Sequence, residues 1–168
     1  MNRPDAWTTR SATPDDAEAI TLIYNQGIAD RIATFEIALR TSADIERWFD
    51  GIHPVVVVER GTEVIAFAAT STYRPRACYA SNAEFSVYVD RAARRQGAGR
   101  VAMQALLVAA QAAGFSKLIS RVFVENHASR AMLRKLGFRE VGIYEKHGQL
   151  DGAWRDVVIV ELLLEPPY

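Results

Sequence analysis

The sequence predicts a single α/β (α+β) domain over residues 1–168, a mixed, twisted sheet of about seven strands with helices on both faces. Three observations point there. Apolar residues recur at helical spacing in some segments and as short β-branched runs in others. The two kinds of segment follow the order β-α-α-β-β-β-α-β-α-β-β, with no linker or internal repeat. The chain is 49% hydrophobic and 24% charged, the balance of a folded domain that buries a sizeable core.

Each element has its own signal. A short first strand covers Thr8 to Ala12. Thr13-Pro14-Asp15-Asp16 then reads as a helix start, with Thr as N-cap, Pro pre-set for the first turn and acids complementing the dipole; Ala17, Ile20, Ile23 and Tyr24 follow at helical spacing. Arg31 to Glu36 is loop. Thr41-Ser42-Ala43-Asp44 opens a second short helix carrying Ile45, Trp48 and Phe49, which stops near Gly51 and Pro54. Val55 to Glu59 and Val64 to Thr72 form a hairpin through Arg60-Gly61-Thr62. Glu84 to Val89 alternates with period two, so Glu84, Ser86 and Tyr88 share one face.

Gly97 to Ala113 is a long helix, apolar almost all round and therefore expected to be buried on more than one side, ended by Gly114. Lys117 to Val124 is a strand and Ser129 to Leu136 a helix closed by Gly137. Arg139 to Lys146 and Arg155 to Leu164 are two final strands, with His147 in the loop between them.

The formal net charge is zero, which argues against bulk electrostatic binding to nucleic acid or a membrane surface. The zero conceals a split. Residues 91–139 hold ten basic residues and one acid, Glu125, a local +9, and the remainder carries −9. The basic third offers only Phe115, Phe123 and Phe138 as aromatics, all in apolar settings, so an interleaved nucleic-acid surface is not expected. Cys78 is the single cysteine and reads as a buried, inert thiol; with three scattered histidines it makes no metal-ligand spacing. Met1 to Trp7 contains no apolar run. The longest apolar-rich stretch, Val101 to Ala113, is too short to span a bilayer, so a cytoplasmic protein is expected.

After the strand Val87-Tyr88-Val89-Asp90 comes Arg94-Arg95-Gln96-Gly97-Ala98-Gly99-Arg100, opening the long helix. Glycines let backbone approach a ligand, and the unpaired N–H groups of a first helical turn suit phosphate oxygens. Glycines that merely turn a strand into a helix would produce the same string. It is neither a dinucleotide fingerprint nor a P-loop. The next β-α unit adds Glu125-Asn126-His127-Ala128-Ser129 and Leu136-Gly137-Phe138.

With these two motifs in this order and spacing, the chain resembles the GNAT superfamily of acetyl-CoA-dependent acyltransferases over nearly its whole length. Ile23-Tyr24-Asn25, Thr34-Phe35-Glu36, Arg74-Pro75-Arg76, Ala83 to Val89 and Gly152-Ala153-Trp154-Arg155-Asp156-Val157 are similar to the phosphinothricin, arsinothricin and methionine sulfoximine N-acetyltransferases.

The resemblance implies acetyl-CoA as cosubstrate, no metal, and a set of roles. Backbone groups of Val87, Tyr88 and Val89 would pair with the pantetheine arm, and N–H groups from Arg95, Gln96, Gly97, Ala98, Gly99 and Arg100 would hold the pyrophosphate. Asn126 would contact the pantetheine, a role compatible with being a helix N-cap, and Lys135 would reach the nucleotide end. Of Arg130, Arg134 and Lys135, at least two are expected on a solvated helix face. Glu84 occupies the position of the general base. An N–H near Val87, aimed by a local bulge, would stabilise the oxyanion. Leu133 stands where many relatives carry a His, so that acid is absent here; Tyr144, Ser129, Tyr88 or water remain to protonate the thiolate.

Arginine forks match carboxylate or phosphinate oxygens, so Arg74 and Arg76 suit an amino acid with a second anionic head. Phe35, Phe85 and Ser86 would complete the substrate site, with Trp154 either beside it or in packing. The expected activity is N-acetylation of a glutamate-analogue amino acid, with a resistance role, by a homodimer. The competing readings are another small amine or a protein N-terminus as acceptor, and a noncatalytic coenzyme A or nucleic-acid module.

Overall fold

The central hairpin explains why this sheet needs cover on both sides. In β2 (Val55–Arg60) and β3 (Glu63–Thr72), Val56, Val58, Ala66 and Ala68 pack into one core cluster, and Val55, Val57, Phe67 and Ala69 into another. Side chains alternate across a strand, so both faces are apolar. One face is covered by α3 (Ala98–Ala112) through Ala98, Ala102, Met103, Leu106 and Ala110. The other is covered by α1 (Ala17–Asp30) and α2 (Ser42–Glu46) through Ala17, Ile20, Ile23 and Ile45.

Residues 6–165 are described by the structure, a computed structural model; Met1 to Asp5, which belong to the N-terminal stretch read above, lie outside them. The remaining strands are β1 (Thr8–Ser11), β4 (Asn82–Val89), β5 (Lys117–Phe123), β6 (Arg139–Leu150) and β7 (Ala153–Leu163), with α4 (His127–Lys135) between β5 and β6. They form one seven-stranded sheet in the order β1-β2-β3-β4-β5-β7-β6. Every neighbouring pair is antiparallel except β4 and β5, whose parallel ladder is confined to Asn82–Glu84 against Lys117–Ile119. Beyond that point the two strands part.

Local chemistry sets the element ends. Thr13 N donates to Asp16 Oδ2 at 2.8 Å, and Arg10 donates to both oxygens of the same carboxylate at 2.7 and 2.8 Å, tying β1 to the start of α1. Thr41 and Asp44 exchange the reciprocal bonds of a capping box. Among the described residues no helix is long and apolar enough to cross a membrane.

Three expectations need correction. α3 buries one stripe rather than several sides, and Val108 is 70% exposed, because helical geometry turns that residue away from the sheet. β6 runs on to Leu150, so His147 lies within a strand and not in a loop. The true turn is Asp151-Gly152, at φ 51° and 77°, an Asp-Gly pair suited to a two-residue hairpin. The strand tolerates His147 through a register slip between Tyr144 and Gly148, where Lys146 turns to φ 46° and its N–H bonds Asp156 Oδ1 at 2.7 Å. Cys78 is exposed, because it sits in the β3–β4 connection outside the core clusters.

Candidate active site

The fork between β4 and β5 organises the site. Ala83 and Phe85 belong to the α3-side core, so Glu84, Ser86 and Tyr88 face the α1 side together, as period two requires. Backbone groups alternate as well. Asp90 N donates to Ile65 O at 2.8 Å on the β3 side, while Ser81 O accepts from Ser116 N at 2.8 Å on the β5 side. By that alternation the N–H and C=O groups of Val87 and Val89 point toward β5, which has already diverged.

Tyr88 is different. Its backbone groups point to β3, opposite Phe67, so pairing with a ligand through them is ruled out by register. The β3–β4 ladder is also continuous, without the bulge expected near Val87. Divergence of β5 frees these groups instead.

The cleft between the two strands is lined by Val87 and Tyr88 on one side, Ser120 and Val122 on the other, and Asn126, Ser129 and Leu133 behind. Asn126 Oδ1 caps α4 by accepting from Ser129 N at 3.2 Å and still lines the cleft. Leu133 is buried in the core. The loop leading to α3 is positioned by polar bonds: Gln26 joins Asp90 and the Arg91 N–H at 3.0 and 2.8 Å, and Asp30 pairs with Arg91 and Arg94. These two guanidiniums, Arg91 first, hold the Asp30 carboxyl below the usual carboxylate range. Arg95 and Gly97 both adopt left-handed backbone, at φ 64° and 95°, and Gly97 is the N-cap of α3. A Cβ on Gly99 would meet Met132 Sδ at 3.3 Å, so a small residue lets α3 and α4 approach.

The basic third divides sharply. Arg91, Arg94, Lys117, Arg121, Arg130, Arg134 and Arg139 all pair with carboxylates. Arg130 is bidentate to Glu140 at 2.9 and 3.1 Å and also bonds Val124 O at 2.8 Å, so it is a structural strut. The other three cations of this segment, Arg95, Arg100 and Lys135, have no ion-pair partner among the described residues.

On the α1 side lies a chamber of about 410 Å³ whose lining includes Thr34, Phe35, Glu36, Glu84, Ser86, Tyr88, Ser120 and Arg121. Phe35 packs edge-on against Phe123 at 4.9 Å and lies over Gly148. The Tyr88 ring lies against Gly27 and the rings of Tyr24 and Phe67. Burial pushes the Tyr88 phenol far above its ordinary range and also raises Tyr24. Glu84 accepts from Arg121 Nη2 at 3.0 Å, and Arg121 Nη1 lies 3.4 Å from His147 Nε2.

Not every expected residue arrives here. Arg74 and Arg76 are exposed on the β3–β4 connection and do not line the chamber; the Arg74 guanidinium stacks over Tyr73 at 5.2 Å. Trp154 is exposed and also outside the lining. Of the groups considered for the thiolate proton, Ser129 and Tyr88 line the cleft and Tyr144 does not. Sequence reasoning did not single out Arg121 as the partner of Glu84, nor His147 as a neighbour of Arg121. A lone cation in the middle of the apolar run Lys117 to Val124 was the available signal for Arg121.

Comparisons with known proteins agree with this fold. The acetyltransferase (GNAT) family matches residues 24–138. The chain is 30% identical to an L-methionine sulfoximine/L-methionine sulfone acetyltransferase of Pseudomonas aeruginosa, covering 94% of this chain and 94% of that one. A solved phosphinothricin acetyltransferase from Sinorhizobium meliloti in complex with acetyl-CoA superposes with a TM-score of 0.87 at 29% identity, covering 94% of this chain and 88% of that one. A ribosomal-protein-alanine N-acetyltransferase from Brucella melitensis superposes with a TM-score of 0.89 at 30% identity, covering 94% and 99%.

Proposed function

This chain belongs to the acetyltransferase (GNAT) family, and on that premise we propose that it transfers the acetyl group of acetyl-CoA to the α-amino group of a small glutamate-analogue amino acid of the phosphinothricin, arsinothricin or methionine sulfoximine type. The observation that carries this reading is the meeting of two cavities. The cleft at the strand fork and the chamber share Ala33, Phe85, Ser86, Tyr88, Ser120 and Arg121, so a thioester in one and an amine in the other come together beside Glu84.

The residues present suit acetyl-CoA, which supplies the activated acetyl group. Val87 and Val89 offer backbone groups toward the cleft, and the first turn of α3 offers N–H groups behind a left-handed Gly97. The loop from Arg95 through Gln96, Gly97, Ala98, Gly99 to Arg100 holds the pyrophosphate. The cations without carboxylate partners support this, because a guanidinium already neutralised by an acid attracts phosphate weakly. Lys135 serves the nucleotide end and Asn126 the pantetheine.

In the chemical step Glu84 accepts a proton from the acceptor ammonium. The freed amine forms the new C–N bond as the C–S bond breaks, and the Val87 N–H stabilises the oxygen in the transition state. As the C–N bond forms, the second proton of the nitrogen passes to the departing thiolate by relay through a hydroxyl lining the cleft, Ser129 or Tyr88. Phe35 packs on the aliphatic part of the acceptor. We further infer a cytoplasmic homodimer with a detoxifying role. Exposed Val141 and Ile143 on the edge strand β6 support self-association, which light scattering would test.

The test is steady-state acetylation of phosphinothricin, arsinothricin, methionine sulfoximine, methionine sulfone and common amines, followed by thiol release. Turnover of one or more of the amino acids is expected. Turnover confined to a polyamine or to a peptide N-terminus overturns the assignment.

A further inference from the structure

Arg121 is the only cation among the residues lining the chamber, and its single carboxylate partner is the base itself. A bare amine entering the chamber gains nothing from a guanidinium there, because like charges repel. A zwitterion gains on both ends. Its ammonium takes the place of Arg121 at Glu84, and its carboxylate takes the place of Glu84 at Arg121. No charge is left alone at any stage of that exchange, which matters in a partly desolvated cavity.

We infer that Arg121 is the receptor for the α-carboxylate of the acceptor, and that the Glu84–Arg121 pair is the closed form of a two-point amino-acid site. This rests on the chamber being the acceptor site. Both side chains keep access to the cavity, with 47% of Arg121 and 29% of Glu84 exposed. An ion pair so exposed is worth at most about 1 kcal/mol, so opening it costs little. A bidentate guanidinium–carboxylate contact inside the chamber is stronger and geometrically selective. His147 orients the fork from behind: a guanidinium only donates, so the His147 Nε2 lone pair accepts from Nη1 and leaves Nη2 aimed at the chamber. The site selects an α-amino acid over a decarboxylated amine and over a peptide N-terminus, whose α-carboxyl is an amide.

The experiment compares each amino acid that turns over with its own α-carboxamide, in wild type, Arg121→Met and Arg121→Lys. Wild type should favour the acid by roughly 10- to 100-fold in kcat/KM, the loss expected for one charge-assisted contact. Arg121→Met should raise the KM of the acid by about that factor, change the KM of the carboxamide less than about 3-fold, and weaken calorimetric binding of the acid. Arg121→Lys should recover part of the preference. An unchanged melting temperature in both variants shows that folding is intact.

A preference that survives in Arg121→Met overturns the inference while leaving the proposed activity standing. So does an equal fall in kcat on acid and carboxamide with KM unchanged, which would make Arg121 a positioning residue for Glu84 alone. If wild type acetylates no amino acid at all, the assignment of the chamber fails and the inference fails with it.

Discussion

Glu84 and Arg121, 37 residues apart and on different strands, share a 3.0 Å hydrogen bond across the fork where β4 and β5 separate. The bond places the proposed base at the junction of cleft and chamber. The loop proposed to hold phosphate begins beyond the end of β4, so the role proposed for Glu84 is separable from cosubstrate binding.

Replacing the base tests that separation. Glu84→Gln keeps the shape and removes the proton acceptor, so kcat at neutral pH should fall by about 10² to 10⁴-fold, the usual range for losing general-base catalysis. Acetyl-CoA affinity, read by calorimetry, should move less than about 3-fold. Equal activity would remove Glu84 from the chemistry.

The unpaired and paired cations should behave oppositely. Arg100→Ala should raise the KM for acetyl-CoA, flatten its dependence on salt and leave the melting temperature alone, since no ion pair among the described residues is broken. Arg130→Ala should lower the melting temperature, because Glu140 and the Val124 carbonyl both lose their donor. Identical thermal profiles for the two variants would show that the pairing pattern does not sort these residues.

Acid sensitivity should trace in part to Asp16. The Arg10 guanidinium beside it, and behind that the Thr13 N–H, hold its carboxyl below the usual carboxylate range against the opposing effect of burial. A depressed folded-state pKa gives stability that is present above the unfolded value, about 3.9, and is lost as pH falls from there through the folded value. Asp16→Asn should therefore destabilise the fold at pH 7, on the order of 2 kcal/mol for lost charge-assisted bonds, and progressively less as pH falls below the unfolded value. Denaturant melts at pH 7 and at successive values below about 3.9 check this, and a loss independent of pH would contradict it.

Gly27 is the position on α1 where a side chain cannot be accommodated. A Cβ there would fall 2.5 Å from the Tyr88 ring, which is itself held against Tyr24 and Phe67. Gly27→Ala gains about 1 kcal/mol in helix propensity but overpacks a buried aromatic, which costs about 1 to 3 kcal/mol. The net expectation is a lower melting temperature and a raised acceptor KM, as the ring shifts into the chamber. Unchanged values of both would mean that the ring relocates freely.

Several elements were legible because their signals are local. Thr41 and Asp44 form their capping box from four consecutive residues, and period two in Glu84 to Val89 assigned Glu84, Ser86 and Tyr88 to one face. The same alternation carries information that side-chain pattern alone does not express, namely that Tyr88 spends its backbone groups on β3 and leaves only Val87 and Val89 for a ligand. The Asp151-Gly152 turn is equally local, and it is this pair rather than the segment around His147 that ends β6.

The sequence by itself determined the order of elements, the glycine loop before α3 and a carboxylate on the open face of β4, since each follows from neighbours within a few residues. Only the tertiary structure decided which charges remain available. Asp30 claims Arg91 and Arg94, Glu140 claims Arg130 and Arg134, Glu161 claims Lys117 and Arg139, and Glu84 holds Arg121, so that Arg95, Arg100 and Lys135 are without a carboxylate partner among the described residues and are the cations proposed for phosphate. Charge adds along a chain whatever the fold, but ion pairing depends on distances of a few ångströms between residues far apart in sequence, and those distances exist only once the sheet has formed.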